Sequence, residues 1–477
     1  MKRDAWFAIA AAAVLLLHPG GARSDKAQPP SAGSQDPRVE FERYKLPNGL
    51  EVILHQDNSI PLVAVDVWYH VGSGDEVPGR SGFAHLFEHM LFQGSLHVGE
   101  DKHFEILKGL GASPNGSTNF DRTNYFEVVP SHHLETALWI ESDRMGYFLP
   151  LLTRPSLKNQ IDVVRNERRQ SYDNEPYGKT RFNVSHLLHP EGHPYRDLVI
   201  GKHEDLEAAE LEDVQGFYKK WYVPGNATLV IAGDFDSKNA KQLVQKWFGS
   251  FPKTGRPAHR KLAMPIIKPA REEVKDSLAK LRRIEYVWHT PAFFEAGDAE
   301  LDVLGNTLAS PGTGRLYKIL VHEKQLAQSV AAFQASRQHS STFTVSVTAK
   351  TGADMKEIER IMNQEIEKVR TEPISQREFD RTVVEQESGF VWGLESLLAR
   401  AETLQKYNHY VGNPDFITAD LDRYRKSSPA AIQKIAEKFL GPEHRVEVLT
   451  VPGSRGVGQA RPKGAPDPGA APTPSGV

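Results

Sequence analysis

One pattern occurs twice in this chain. Asn124 to Val129 reads as a strand, a helix follows over 132–147, and Pro155-Ser156 opens another helix bearing Val163-Val164-Arg165-Asn166-Glu167. Further on, Thr342 to Val347 alternates as a strand and leads into a helix from Asp354 to Arg370. Pro373-Ile374-Ser375 then precedes a helix bearing Val383-Val384-Glu385-Gln386-Glu387. The same strand–helix–helix order with Val-Val-x-x-Glu in both places indicates a duplicated unit. The chain is therefore expected to fold as α+β, in two homologous domains whose sheets pack against helices.

The ends stand apart from this repeat. Lys2 and Arg3 precede an apolar run from Ala5 to Leu17, which His18-Pro19-Gly20 breaks. That run is too short to cross a bilayer, and its flanks are those of a secretory signal peptide, here residues 1–24. An exported, periplasmic or secreted protein without a stable membrane anchor is expected. Residues 25–38 read as a flexible lead-in, and 453–477, almost all Pro, Gly, Ala and small polar residues, as a disordered tail. Between them, 39–250 forms the first expected domain, the Pro- and Lys-rich stretch 251–275 a linker, and 276–452 the second domain.

Within the first domain, Pro47-Asn48-Gly49 between Phe41–Leu46 and Leu50–Leu54 signals a hairpin, and Val63 to Val71 continues the sheet. Helices are expected near 82–93 and 101–110, and a strand over Ala227–Ala232. A net charge of -3 provides no basic field for nucleic acid. The absence of cysteine removes disulfides, thiolate metal sites and thiol catalysis.

The chemistry concentrates in Ser81-Gly-Phe-Ala-His85-Leu-Phe-Glu88-His89-Met-Leu-Phe-Gln-Gly94. Ser81 suits an N-cap and Gly94 a stop, giving a helix of about three turns. His85 and His89, four apart, share one face where both imidazoles can grip a metal ion. Glu88 lies beside that face, where a carboxylate can take a proton from a water that zinc has acidified. A third ligand is needed, an acidic residue on another buried helix. Glu167 fits, with Glu141 and Asp143 as rivals that spacing alone does not exclude. His132-His133 reads as a solvated helix start, His186, His189 and His193 as loop histidines, and Pro311-Gly-Thr-Gly314 as an ordinary turn.

These residues resemble the pitrilysin/insulinase family of zinc metallopeptidases, whose inverted motif is His-x-x-Glu-His, and its half-size branch in particular. The likeness runs through Leu46-Pro-Asn-Gly-Leu50, the motif itself, Asn115-Gly-Ser-Thr118, Thr123-Asn-Tyr125, Val163-Val-Arg-Asn-Glu-Arg168, His193-Pro-Tyr195, Tyr222-Val-Pro224 and Gly233-Asp234. The resemblance implies a clam-shell architecture and one zinc ion per chain on His85, His89 and Glu167, with Glu88 as general base. It implies that Asn115, Gly116, Ser117 and Thr118 form an edge strand that pairs with extended peptide substrates. The family's second glutamate, two turns before the ligand, is here Gln160. Where active members carry an Arg and a Tyr in the second domain, this chain has His322 and Gln328, in a stretch one residue shorter. That departure implies a hetero-oligomer, in which a homologous subunit supplies the missing Arg and Tyr. A homodimer is the alternative assembly, and a non-catalytic assembly subunit the alternative function.

Overall fold

The computed structural model describes residues 36–453. The signal-peptide and tail assignments lie outside the described residues, as does most of the lead-in. In the first half the order is β1 (Glu42–Lys45), β2 (Glu51–Gln56), β3 (Leu62–Tyr69), α1 (Phe83–Met90), α2 (Lys102–Gly109), β4 (Ser113–Thr118), β5 (Thr123–Pro130), α3 (Leu134–Tyr147), α4 (Arg154–Arg168) and α5 (Gly178–Leu188). It continues through α6 (His203–Glu207), α7 (Leu211–Trp221), β6 (Ala227–Gly233) and α8 (Ser237–Phe248). The second half holds β7 (Ala270–Asp276), β8 (Arg283–Thr290), α9 (Asp298–Ala309), α10 (Arg315–Tyr317), β9 (Ala327–Ala335), β10 (Ser341–Ala349) and α11 (Met355–Thr371). It closes with α12 (Gln376–Gly393), α13 (Leu397–Val411), α14 (Ile417–Arg425), α15 (Pro429–Phe439) and β11 (Arg445–Pro452).

The two sheets have orders β1-β2-β6-β3-β5-β4 and β7-β11-β8-β10-β9. Without β1 they superpose in order and in sense. β2 runs parallel to β6 as β7 does to β11, and β6 runs antiparallel to β3 as β11 does to β8. The turn after β1 follows from its residues: Gly49 takes φ 103°, and the Asn48 side chain accepts from Leu50 N at 3.1 Å.

Period-2 alternation sends side chains of the first sheet to two different cores. Val52, Leu54, Val65, Val67, Leu229 and Ile231 face the helices α1, α3 and α7. Ile53, Ala64, Val230 and Ala232 face the other way, onto Leu397, Ala401 and Leu404 of α13, a helix from the second half. The exchange is reciprocal, because α5 of the first half lays Val184, Leu187 and Leu188 on Val287 and Val446 of the second sheet. Polar ties accompany both: Gln405 donates to the carbonyls of Asp66 and Thr228, and Thr180 pairs with Thr450.

Two sequence expectations change here. Helix α5 runs through His186 with His189 at its end, so only His193 of that trio lies in a loop. The stretch 251–275 is not all linker, since β7 begins at Ala270. Its earlier part is seated on the first half: Thr254 N donates to Asn48 O at 3.0 Å, and His259 Nδ1 meets Asp75 Oδ1 at 2.8 Å. Pro and Lys density marks polarity but says nothing about what a segment packs on.

Candidate metal centre

The helix that carries the motif is shorter than its sequence suggests and is capped by another residue. Gly82 precedes α1 in the left-handed region at φ 87°, and a Cβ there would sit 2.9 Å from Ile200 O and from the Gly201 Cα. Glu76, buried, accepts from Gly82 N at 3.0 Å and Ala84 N at 2.8 Å. A carboxylate there satisfies the orphan amides and complements the helix dipole. Ser81 instead donates to Asp205 at 2.6 Å. Buried Phe83, Leu86, Phe87 and Met90 pin the apolar side of α1 to the core, and this leaves His85, Glu88 and His89 on the other side.

The α4 helix crosses α1 and brings Glu167 between the imidazoles. Its Oε2 lies 3.6 Å from His85 Nε2 and 3.2 Å from His89 Nε2, and the three ligand atoms all fall within 4.8 Å of one another. The rivals are engaged elsewhere. Glu141 is fully buried with Arg144 at 3.0 Å, and Asp143 bonds Ser95 and His97. Gln160 is buried on α4. Immediately after α4 the chain widens into a π-helical turn over Arg169–Asp173. Such turns recur at functional sites.

Burial pushes the His85 imidazole down to about 4, with Glu167 opposing the shift and His89 adding to it. The hydrogen bond from His89 holds the Glu167 carboxyl below its usual range. The cluster therefore offers two imidazole nitrogens and one carboxylate oxygen, a donor set that suits a divalent transition metal such as zinc and leaves room for further ligands.

Glu88 points beside this cluster. Burial raises its carboxyl, and the Thr118 hydroxyl, donating to Oε2 at 2.7 Å, counters that. Thr118 closes β4, the outermost strand of the first sheet, so Asn115, Gly116, Ser117 and Thr118 all lie on that edge. Gly116 passes close over the site: a Cβ there would lie 3.0 Å from the Phe92 ring and 3.2 Å from Glu88 Cγ. A cavity of about 390 Å³ opens against this strand, lined by His85, Glu88, Glu167 and Gly116 together with Phe120 and Tyr172. Sequence reasoning missed Glu76, Phe120 and Tyr172. Only Tyr172, an aromatic just past the acidic ligand candidate, carries a signal that could have found it.

Two family models match successive parts of the chain. The family described as Insulinase (Peptidase family M16) matches residues 51–188, and the one described as Peptidase M16 inactive domain matches 208–384. The chain belongs to the insulinase family, peptidase family M16. It is similar to the zinc protease PqqE of Helicobacter pylori, 28% identical over 75% of this chain and 81% of that one. It is also similar to the uncharacterized zinc protease YmxG of Bacillus subtilis, 22% identical over 87% of this chain and 99% of that one. The crystal structure of a protease from Helicobacter pylori matches with a TM-score of 0.81 at 26% identity, covering 86% of this chain and 99% of that one. An insulinase-family peptidase role is the coarse assignment, with zinc the metal in the names of its relatives. Among the described residues, no helix is long and apolar enough to cross a membrane.

Proposed function

We propose that the chain is a zinc endopeptidase or oligopeptidase that hydrolyses extended peptides, with one zinc ion on His85, His89 and Glu167. One observation carries the reading: two imidazoles and a carboxylate converge within 4.8 Å, with Glu88 beside them and an open strand edge overhead. Bound there, zinc would supply Lewis acidity, polarising a peptide carbonyl and acidifying water. Glu88 takes the proton of the attacking water and returns it to the amine that leaves. Thr118 keeps the Glu88 carboxylate aimed, and β4 receives the peptide backbone as an added strand, so recognition depends little on sequence.

The stretch from His322 to Gln328 supports a further element of the proposal. His322 lies near the end of a π-helical turn, Gln328 is exposed at the start of β9, and neither is the Arg or Tyr that the family resemblance implies for an active member. The chain acts as the zinc-bearing subunit of a hetero-oligomer, exported to the periplasm. Peptidase activity that appears only when a homologous partner is added supports this assembly, and full activity from the chain alone favours a homodimer. The central test is Glu88→Gln. Zinc content by elemental analysis should be unchanged while peptide hydrolysis falls by about a thousandfold or more. Activity retained in a zinc-replete preparation removes Glu88 from the general-base role, whereas a zinc-replete wild-type chain that hydrolyses no peptide, alone or with a homologous partner, favours a non-catalytic assembly subunit.

A further inference from the structure

The turn that joins β4 to β5 is held from both halves of the molecule. On the first half's side, Ser73 N donates to Asn119 O at 3.1 Å and Gly74 N to Phe120 O at 2.7 Å. The fit is tight, since a Cβ on Gly72 would lie 2.4 Å from the Phe120 carbonyl carbon. Within the turn, Asn119 Oδ1 accepts from the amides of Asp121 and Arg122, at 2.7 and 2.8 Å.

Asp121 connects this turn to the second half. Its side chain is buried at 5% exposure, and three neutral donors satisfy it. Tyr195 OH donates to Oδ1 at 2.6 Å, while Gln338 N and Tyr410 OH both donate to Oδ2 at 3.0 Å. Gln338 lies in the turn between β9 and β10, and Tyr410 on α13, so the last two donors belong to the second half. A buried carboxylate held by three hydrogen bonds is costly to displace, because removing a donor leaves the charge under-solvated.

From this we infer that Asp121 is a positioning residue through which the second half sets the geometry of the proposed catalytic base. The chain of contacts is short. Asp121 fixes the turn, the turn fixes Thr118 at the end of β4, and Thr118 holds Glu88. Misplacing a reacting group by an ångström is enough to cost rate. The second half, which holds no metal-binding cluster among the described residues, thus contributes to the site by immobilising the strand that the substrate is proposed to join.

This inference rests on the proposed peptidase reading, and its test separates the two. Asp121→Asn keeps the shape but presents an amide to donors. In this variant the amides of residues 115–118 should exchange with deuterium at least tenfold faster, with α1 and α4 unchanged and zinc content intact. Peptide hydrolysis should fall about tenfold or more, mainly in kcat, with Thr118→Ser close to wild type and Thr118→Val reproducing the loss. Tyr410→Phe removes one second-half donor without touching the turn. It should give a smaller loss of the same kind, and adding it to Asp121→Asn should bring no further loss. Wild-type exchange over 115–118 in Asp121→Asn overturns the inference, as do effects of the two substitutions that simply add. Should Asp121→Asn fail to fold, wild-type exchange and kcat in Tyr410→Phe overturn it alone. If the wild-type chain hydrolyses no peptide either alone or with a homologous partner, the peptidase reading fails, while the exchange measurement still decides whether Asp121 ties β4 down.

Discussion

The two halves put one helix pair to opposite uses. In the first, α4 ends with Glu167 between two imidazoles of α1. In the second, α12 carries Glu387 at the matching place in the repeated motif, and its partner is the Arg425 guanidinium of α14. The helix in the place of α1 is α9, which fills its interior with Leu301, Leu304 and Leu308 and puts no metal-binding cluster beside α12 among the described residues. Strand order and helix order stayed the same while the donor atoms changed. The scaffold thus specifies where two helices cross, and a few side chains decide whether the crossing offers a set of metal-ligand atoms, as at α1 and α4, or sends its carboxylate to an ion pair with a third helix.

Glu167→Gln should break the comparison most visibly. An amide donates poorly to a metal, so zinc stoichiometry should drop strongly and peptidase activity should be nearly abolished while the fold persists. Full zinc in Glu167→Gln, with loss on changing Glu141, would move the ligand to α3.

Acid should act next, at the seam between the halves. His189 at the end of α5, His193 of the loop that follows, His289 of β8 and His339 of the β9–β10 turn gather around Arg337, with Asp121 and Asp75 as the nearby carboxylates. Burial, the leading cause, lowers His189 to about 2 and His193 to about 4, and lowers His289 and His339 as well. Their unfolded values lie near 6.5, so at lower pH the unfolded chain binds protons that the folded chain refuses. Stability should be fully present above about pH 6.5 and fall steadily as pH drops towards 4. Denaturant titrations at several pH values should show this slope, and His189→Gln with His193→Gln should flatten it.

A smaller loss is expected from Gly116→Ala. The added methyl meets Phe92 and Glu88, and overpacking of that kind costs about 1–3 kcal/mol, here expressed as a fall in kcat at unchanged zinc content. Least of all should come from Glu387→Gln. That half-exposed pair with Arg425 contributes at most about 1 kcal/mol, and neither activity nor zinc content should follow it. A large loss of activity in Glu387→Gln would show that the second crossing is more than packing.

What the sequence made legible was local. Residues four apart on a helix must share a face, so His85 and His89 could be paired without knowing the fold. Alternation and turn residues likewise located most strands, and the repeated motif located the duplication. Choosing Glu167 over Glu141 and Asp143 was not local, because it depends on Arg144, Ser95 and His97 having engaged the rivals. The N-cap failed for the same reason: Ser81 is the right residue type, but Glu76 reaches the helix start first and Ser81 goes to Asp205. Nothing in the composition of 251–275 foretold that its first part would settle against Asn48 and Asp75, or that β7 would begin inside it.

The exchange of α5 and α13 bears on how such a duplicated chain could ever be taken apart. Each sheet owes the cover of its outer face to the other copy, through Val184, Leu187 and Leu188 on one side and Leu397, Ala401 and Leu404 on the other. Severing the backbone between Lys261 and Lys268 would therefore not release two working pieces. Each fragment would keep its partner's lid and lose its own, exposing a sheet face rich in valine and isoleucine to water. The ancestral single copy, if it stood alone, must have worn its own helix or borrowed one from a twin.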